Sequence, residues 1–173
     1  MPPPKYRDRN TIVSILRKAG EFADEHSAEE FTVNQLANEC KCGVRFLNHS
    51  FLAVFGYNAR SFIQRYRAAI LRNKIKNQPH ENLGRLAGQC GMRLTPTEKR
   101  VFLSIYEISI DEYQEECRQE SGIEAPDTID DQRIRALDWI EEAIRLRKVD
   151  ASATYRTRRT ITEARDTDRR AVG

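Results

Sequence analysis

The chain has 173 residues, of which 39% are apolar and 32% are charged, so its composition suits one globular domain with a single core. It has no apolar run of about 18 residues, and residues 1–9 are proline-led and polar, which excludes a membrane span and a signal peptide. Four scattered cysteines do not form a disulfide framework, so we expect a soluble protein of the reducing cytoplasm.

The pattern of helix starts and stops predicts an all-α fold. Helices are expected at 11–25, 33–41, 44–55, 59–77, 83–90, 96–106 and 110–120, and a further helix from Asp127 or Thr128 to about Val149. Capping boxes are predicted at three of the starts, in the pairs Thr32–Gln35, Thr95–Glu98 and Ser109–Glu112. No strand pattern interrupts these helices.

Two segments about fifty residues apart are similar to each other. In the first repeat the matched residues are Leu36, Ala37, Cys40, Phe51, Phe55 and Phe62, and in the second they are Leu86, Ala87, Cys90, Phe102, Tyr106 and Tyr113. Each repeat begins with a short helix, a turn and a longer helix, which is the pattern of a helix-turn-helix. We therefore expect two helix-turn-helix units.

The longer helix of each unit is the candidate recognition helix, because one of its faces is polar. The expected inward residues are Leu47, Phe51, Val54 and Phe55 in the first repeat, and Val101, Phe102, Ile105 and Tyr106 in the second. The expected outward residues are Arg45, Asn48, His49 and Leu52 in the first, and Thr95, Thr97, Lys99, Arg100 and Leu103 in the second. Most of these side chains can hydrogen-bond to base edges or phosphates.

Positive charge is concentrated between residues 41 and 100, where twelve basic residues face two acidic ones, a net charge of +10. An ordinary solvated surface is the alternative interpretation of that charge. The helix predicted at 59–77 would join the two units over about 28 Å, close to the ~34 Å between successive major-groove faces of B-DNA. Its candidate phosphate contacts are Arg60, Arg67, Lys74 and Lys76.

Over about residues 11–118 the chain resembles the DNA-binding domain of the AraC/XylS family of bacterial transcription regulators. The resemblance is carried by LA before GVRFLNHSF, FGYN and SFIQRYR in the first repeat, and by LAGQCGM and VFLSIYEISIDEY in the second. It implies bipartite binding to double-stranded DNA, action through RNA polymerase, and a location at the nucleoid. Because no segment of sensor-domain size accompanies the domain, we expect a stand-alone member.

By that resemblance, Arg45, Asn48 and His49 match base-contacting positions in the first repeat, and Thr95, Pro96 and Arg100 match those in the second. The second repeat departs from the family pattern at Glu98, Glu107 and Ile110. A carboxylate facing the groove would repel phosphate, so the first repeat is the better candidate for base recognition. Gripping the DNA backbone alone is the alternative role of the second repeat.

Other chemistry has little support in the sequence. Cys40, Cys42, Cys90, Cys117 and His49 lack the spacing of a zinc or redox site, and Cys40 and Cys90 match as core residues. No catalytic constellation or phosphate-cradling glycine loop is present, so we expect no enzyme activity, cofactor or metal. An accessory or architectural DNA-binding protein of a plasmid or other mobile element is the alternative to a regulator.

The expected organisation is a flexible arm at 1–10, the DNA-binding domain at 11–120, a linker and amphipathic helix at 121–150, and a disordered basic tail at 151–173. The last helix has an apolar stripe of Ile134, Leu137, Ile140 and Ile144, with Trp139 and Leu146 off it. Through residues 128–149 it would fold back on the domain, pair with a second copy, or bind polymerase or another protein. The tail is either a loose phosphate contact or a solvated segment.

Overall fold

The structure is a computed structural model that describes residues 9–121 and 134–146. These residues form eight α-helices and no strand, which confirms the all-α prediction. The helices are α1 (Arg9–Glu25), α2 (Val33–Glu39), α3 (Val44–Phe55), α4 (Ala59–Asn77), α5 (Leu83–Gly88), α6 (Pro96–Tyr106), α7 (Ile110–Glu120) and α8 (Ala136–Leu146). The predictions for residues 1–8, 122–133 and 147–173, including the basic tail, lie outside the described residues.

Local capping signals fixed most of these helix bounds. The capping boxes of Thr32, Thr95 and Ser109 are all formed, so those three predictions are confirmed. Helices α2 and α5 end two residues earlier than predicted. Helix α1 begins at Arg9, which makes the last two residues of the predicted N-terminal arm helical.

The hydrophobic residues form two core clusters where composition predicted one. The first lies among α1, α2, α3, α8 and the first half of α4, and the second among α5, α6, α7 and the second half of α4. Phe62 and Tyr66 of α4 belong to the first cluster, and Leu71 and Ile75 to the second. Helix α4 has 19 residues and is about 28 Å long. Because one small group of helices does not cover this whole length, the two halves of α4 pack in separate cores.

The repeat noted in the sequence has a counterpart in burial. Fully or almost fully buried pairs occur at Leu36 and Leu86, Ala37 and Ala87, Cys40 and Cys90, and Phe51 and Phe102. The matched aromatic pair Phe55 and Tyr106 is half-buried in both repeats. The last matched pair differs, because Phe62 is fully buried and Tyr113 is half-buried. Five of the six matched pairs therefore make similar contributions to the two clusters.

Helix α8 folds back onto the first cluster, where it packs against α1 and α3. The predicted start at residue 127 or 128 is wrong, because Ile134 and Arg135 are not helical and α8 begins at Ala136. The Asp24 carboxylate of α1 accepts hydrogen bonds from the backbone N–H groups of Ala136 (2.5 Å) and Leu137 (3.1 Å). The helix start is thus set by a cap from a distant part of the chain.

Close packing of α8 on α1 depends on Gly20. A Cβ at Gly20 would lie 2.9 Å from Cδ1 of Ile140 and 3.0 Å from Cα of Leu137, so only glycine admits the second helix this closely. Trp139 packs edge-on against the rings of Phe62 and Tyr66, which corrects the prediction that it lies off the packed face. Leu146 is 69% exposed, as predicted.

Candidate nucleic-acid interface

Helix α3 has the two faces that the sequence predicts. Leu47, Phe51 and Val54 are buried, and Arg45 and Leu52 are exposed on the other side. The helix ends at Gly56, whose φ of 77° is the left-handed conformation that glycine adopts without strain. The exposed face carries a cationic and an apolar side chain on one short, well-anchored helix.

Two of the four predicted outward residues of α3 are only half-exposed. Asn48 accepts a hydrogen bond at its Oδ1 from the backbone N–H of Ala59 (3.1 Å), so it caps α4 together with Asn58. His49 is also half-buried. The carboxamide oxygen of Asn48 is therefore committed to joining α3 to α4, and Arg45 is the most accessible polar group of the predicted set.

Helix α6 is less deeply buried than α3. Of its predicted inward residues only Phe102 is fully buried. Ile105 and Tyr106 are half-buried against the second cluster, and Val101 is half-buried. All five predicted outward residues are exposed: Thr95, Thr97, Lys99, Arg100 and Leu103. The difference arises because α6 packs against α4 and α7, and the part of the chain that the structure describes provides it with no cover equivalent to α1 and α8.

Several polar groups of α6 already have partners within the chain. The Thr95 hydroxyl accepts from the N–H of Glu98 (3.3 Å), and the Lys99 ammonium lies 3.5 Å from a carboxylate oxygen of Asp111. Arg100 donates from Nε to the carbonyl oxygen of Pro96 (3.3 Å). These interactions are solvent-exposed and weak, so a phosphate competes with them at little cost.

Glu98 turns back onto the start of α6. Its Oε2 accepts from the backbone N–H groups of Thr95 (2.8 Å) and Arg93 (3.2 Å). A carboxylate at a helix N-terminus satisfies unpaired N–H groups and interacts favourably with the helix dipole. Its negative charge is thereby partly compensated locally, which reduces the conflict with phosphate that the sequence suggested.

The four basic residues predicted on α4 have different surroundings. Arg60 and Lys76 are exposed, whereas Lys74 is half-buried and donates from Nζ to Oε1 of Gln89 (3.1 Å). Arg67 donates to the carbonyl oxygen of Glu29 (3.0 Å), and its guanidinium lies 4.7 Å from the centre of the Phe31 ring. Burial lowers the pKa of Arg67. Arg67 is thus an internal link between α4 and the loop after α1, which no local sequence pattern predicts.

The same loop also holds the turn between α5 and α6. Gly91 has a φ of 64°, and a Cβ there would collide with the carbonyl oxygen of Glu29. Arg93 forms an ion pair with Glu30. Together with Arg67, these contacts join the second repeat to residues 29–31 of the first part of the chain.

The cysteines matched between the repeats are core residues. Burial raises the pKa of Cys40 to about 12 and that of Cys90 to about 11, so both thiols stay protonated at neutral pH. The Cys90 thiol donates to the carbonyl oxygen of Leu86 (3.2 Å). Within residues 9–121 and 134–146, no group of three or more histidine, cysteine or acidic residues is arranged to hold a metal ion.

Comparison with protein-family models, curated proteins and solved structures finds no match to this chain. The resemblance to AraC/XylS regulators therefore rests on the sequence motifs alone. Among the described helices, none has the length and apolar character required to cross a membrane.

Proposed function

We propose that this chain binds double-stranded DNA as a transcription regulator of the AraC/XylS type, acting through RNA polymerase. In this proposal α2–α3 and α5–α6 are two helix-turn-helix units, and α3 and α6 are the recognition helices. The observation that carries it is that α3 and α6 each have one buried face and one exposed polar face. Each of these helices buries the matched Phe51 or Phe102 and exposes arginine at a polar surface, Arg45 on α3 and Arg100 on α6.

The distribution of charge supports the same assignment. Within the described residues, Arg45, Arg60, Lys76 and Arg100 are exposed and form no ion pair, so their charges are available to an external anion. The exposed charge of α7 is mainly acidic, with Asp111, Glu112, Glu115, Glu116 and Glu120 all exposed. A polyanion is attracted to α3, α4 and α6 and repelled by α7.

Helix α4 supplies the spacing between the two units. It is anchored in both core clusters, and its length of about 28 Å is close to the ~34 Å repeat of the major groove. The contacts of Arg67, Gly91 and Arg93 with residues 29–31 add a second link between the units, and we expect this link to restrict their relative movement. Restricted units lose less entropy on docking at two grooves than units on a flexible linker.

The structure-based roles of the site residues differ between the repeats. We assign base recognition to Arg45 and His49, and phosphate contacts to Arg60 and Lys76. The proposed role of Asn48 is to position α3 on α4, because its oxygen is already bonded there. The polar side chains of the second repeat, Thr95, Thr97, Lys99 and Arg100, are assigned to phosphates that flank the groove, with base recognition by the same side chains as the alternative. Lys74 is a secondary phosphate contact and Arg67 is left out of the interface.

The test is a selection from a random duplex library with the full chain at low ionic strength. We expect enrichment of two short segments of base pairs whose centres are about 10–10.5 base pairs apart. Tight binding without enrichment would favour the architectural alternative, since backbone contacts carry no sequence information. Failure to retain any duplex would reject DNA binding.

A further inference from the structure

Two exposed leucines lie at the same position of the two repeats. Leu52 directly follows the buried Phe51, and Leu103 directly follows the buried Phe102. Each is 47% exposed, and the only other large apolar side chain exposed in the described part of the chain is Leu146 of α8. Helices α3 and α6 therefore each expose a leucine at the same position of the repeat.

Both leucines share a helix face with polar side chains. Leu52 is three residues after His49, and Leu103 is three residues after Arg100, so each pair lies on adjacent turns of one helix face. A histidine or an arginine lies beside each leucine, Glu107 is exposed one turn after Leu103, and the exposed apolar area is one side chain on each helix. A protein partner of ordinary size needs a larger contiguous apolar patch, so a small apolar group on a polyanion is the better fit.

We propose that Leu52 and Leu103 contact the 5-methyl groups of thymines, and so select T·A pairs in the two major-groove segments. This inference rests on the proposed function. The thymine methyl is the one apolar group that standard base pairs present in the major groove, and apolar side chains recognise it by contact. His49 beside Leu52 and Arg100 beside Leu103 bind neighbouring polar base edges or phosphates.

The test uses the selected duplex with deoxyuridine in place of one thymine at a time, which removes only the methyl group. For the wild-type chain we expect a loss of about three- to fivefold in affinity at one thymine of each segment. Leu52→Ala should lower the affinity for the thymine duplex by about the same factor. Its affinity should then no longer depend on deoxyuridine at the thymine that Leu52 contacts. Leu103→Ala should do the same in the other segment.

Leu146→Ala is the matched control, because it removes an exposed leucine on α8 and should leave both affinity and the deoxyuridine effect unchanged. Thermal melting of each variant checks that the fold is intact, and the wild-type measurement requires no substitution at all. The inference is overturned if the selected segments contain no preferred thymine, or if deoxyuridine weakens wild type and Leu52→Ala equally. Absence of any retained duplex instead rejects the proposed function itself.

Discussion

The two repeats place matched residues in matched positions, yet they differ in how deeply they are buried. Helix α3 buries Leu47, Phe51 and Val54 beneath α1 and α8, whereas α6 buries only Phe102 between α4 and α7. The local sequence pattern is similar in both helices. The depth of burial depends on which other helices are available to cover them, so one repeat is the better-anchored platform.

At each of two left-handed turns, one repeat has glycine and the other has a different residue. The first turn follows α2 in one repeat and α5 in the other, and it contains Lys41 (φ 52°) and Gly91 (φ 64°), respectively. Helices α3 and α6 end at Gly56 (φ 77°) and Glu107 (φ 59°). At these two turns each repeat therefore has one unstrained glycine and one side chain held in a conformation that costs about 1–2 kcal/mol. The second repeat has a further left-handed residue, Leu94 (φ 55°).

Removal of the α8 contact should have the largest effect on stability. Ile140 is fully buried against the first cluster, so we expect Ile140→Ala to lower the free energy of unfolding by about 2–5 kcal/mol. Leu146→Ala, on the exposed part of the same helix, should change it by less than about 0.5 kcal/mol. Urea denaturation measures both. Equal, small effects would mean that α8 does not belong to the first repeat's core.

Gly91→Ala should be the next most harmful change. The new Cβ meets the carbonyl oxygen of Glu29 and the left-handed φ becomes strained, so we expect a loss of about 2–4 kcal/mol. The matched variant Lys41→Ala replaces one non-glycine residue with another and should be close to neutral. Denaturation midpoints of the two variants provide the comparison, and similar values would contradict close contact between the second repeat and residues 29–31.

Arginine substitutions compare the proposed DNA contacts of the two recognition helices. Arg45→Ala should cost about 1–3 kcal/mol of binding free energy and relax sequence preference at one position. Arg100→Ala should weaken binding to all sequences alike, as expected of a backbone contact. It should also reduce the slope of log affinity against log salt concentration by about one unit. Fluorescence anisotropy on selected and scrambled duplexes at several salt concentrations separates these outcomes. If Arg45→Ala leaves specificity unchanged, its assignment to base recognition is wrong.

Glu107→Gly should produce the smallest change, and a favourable one. Glycine relieves the left-handed strain but gains entropy in the unfolded chain, so we expect stabilisation of about 0.5–1 kcal/mol. The reciprocal variant Gly56→Ala should destabilise the first repeat by about 1 kcal/mol. Melting temperatures that shift in the same direction for both variants would show that the two turns are not equivalent.

The sequence predicted those features that depend on residues close together in the chain. Thr32 and Gln35 form a capping box within one turn, and the matched Phe51 and Phe102 follow from helix periodicity. It did not predict the caps that Asp24 gives α8 or Asn48 gives α4, because donor and acceptor are far apart in sequence. Arg67 was expected at the surface for the same reason, since only tertiary packing reveals Phe31 beneath it.

The central claim is that α3 and α6 dock together in successive major grooves on one side of the duplex. The most direct measurement is the affinity of the full chain for its selected duplex after insertion of five base pairs, about half a helical turn, between the two segments. We predict a fall of at least about tenfold, to the affinity of a duplex that carries one segment alone. Unchanged affinity for the lengthened duplex would contradict simultaneous docking of the two helices.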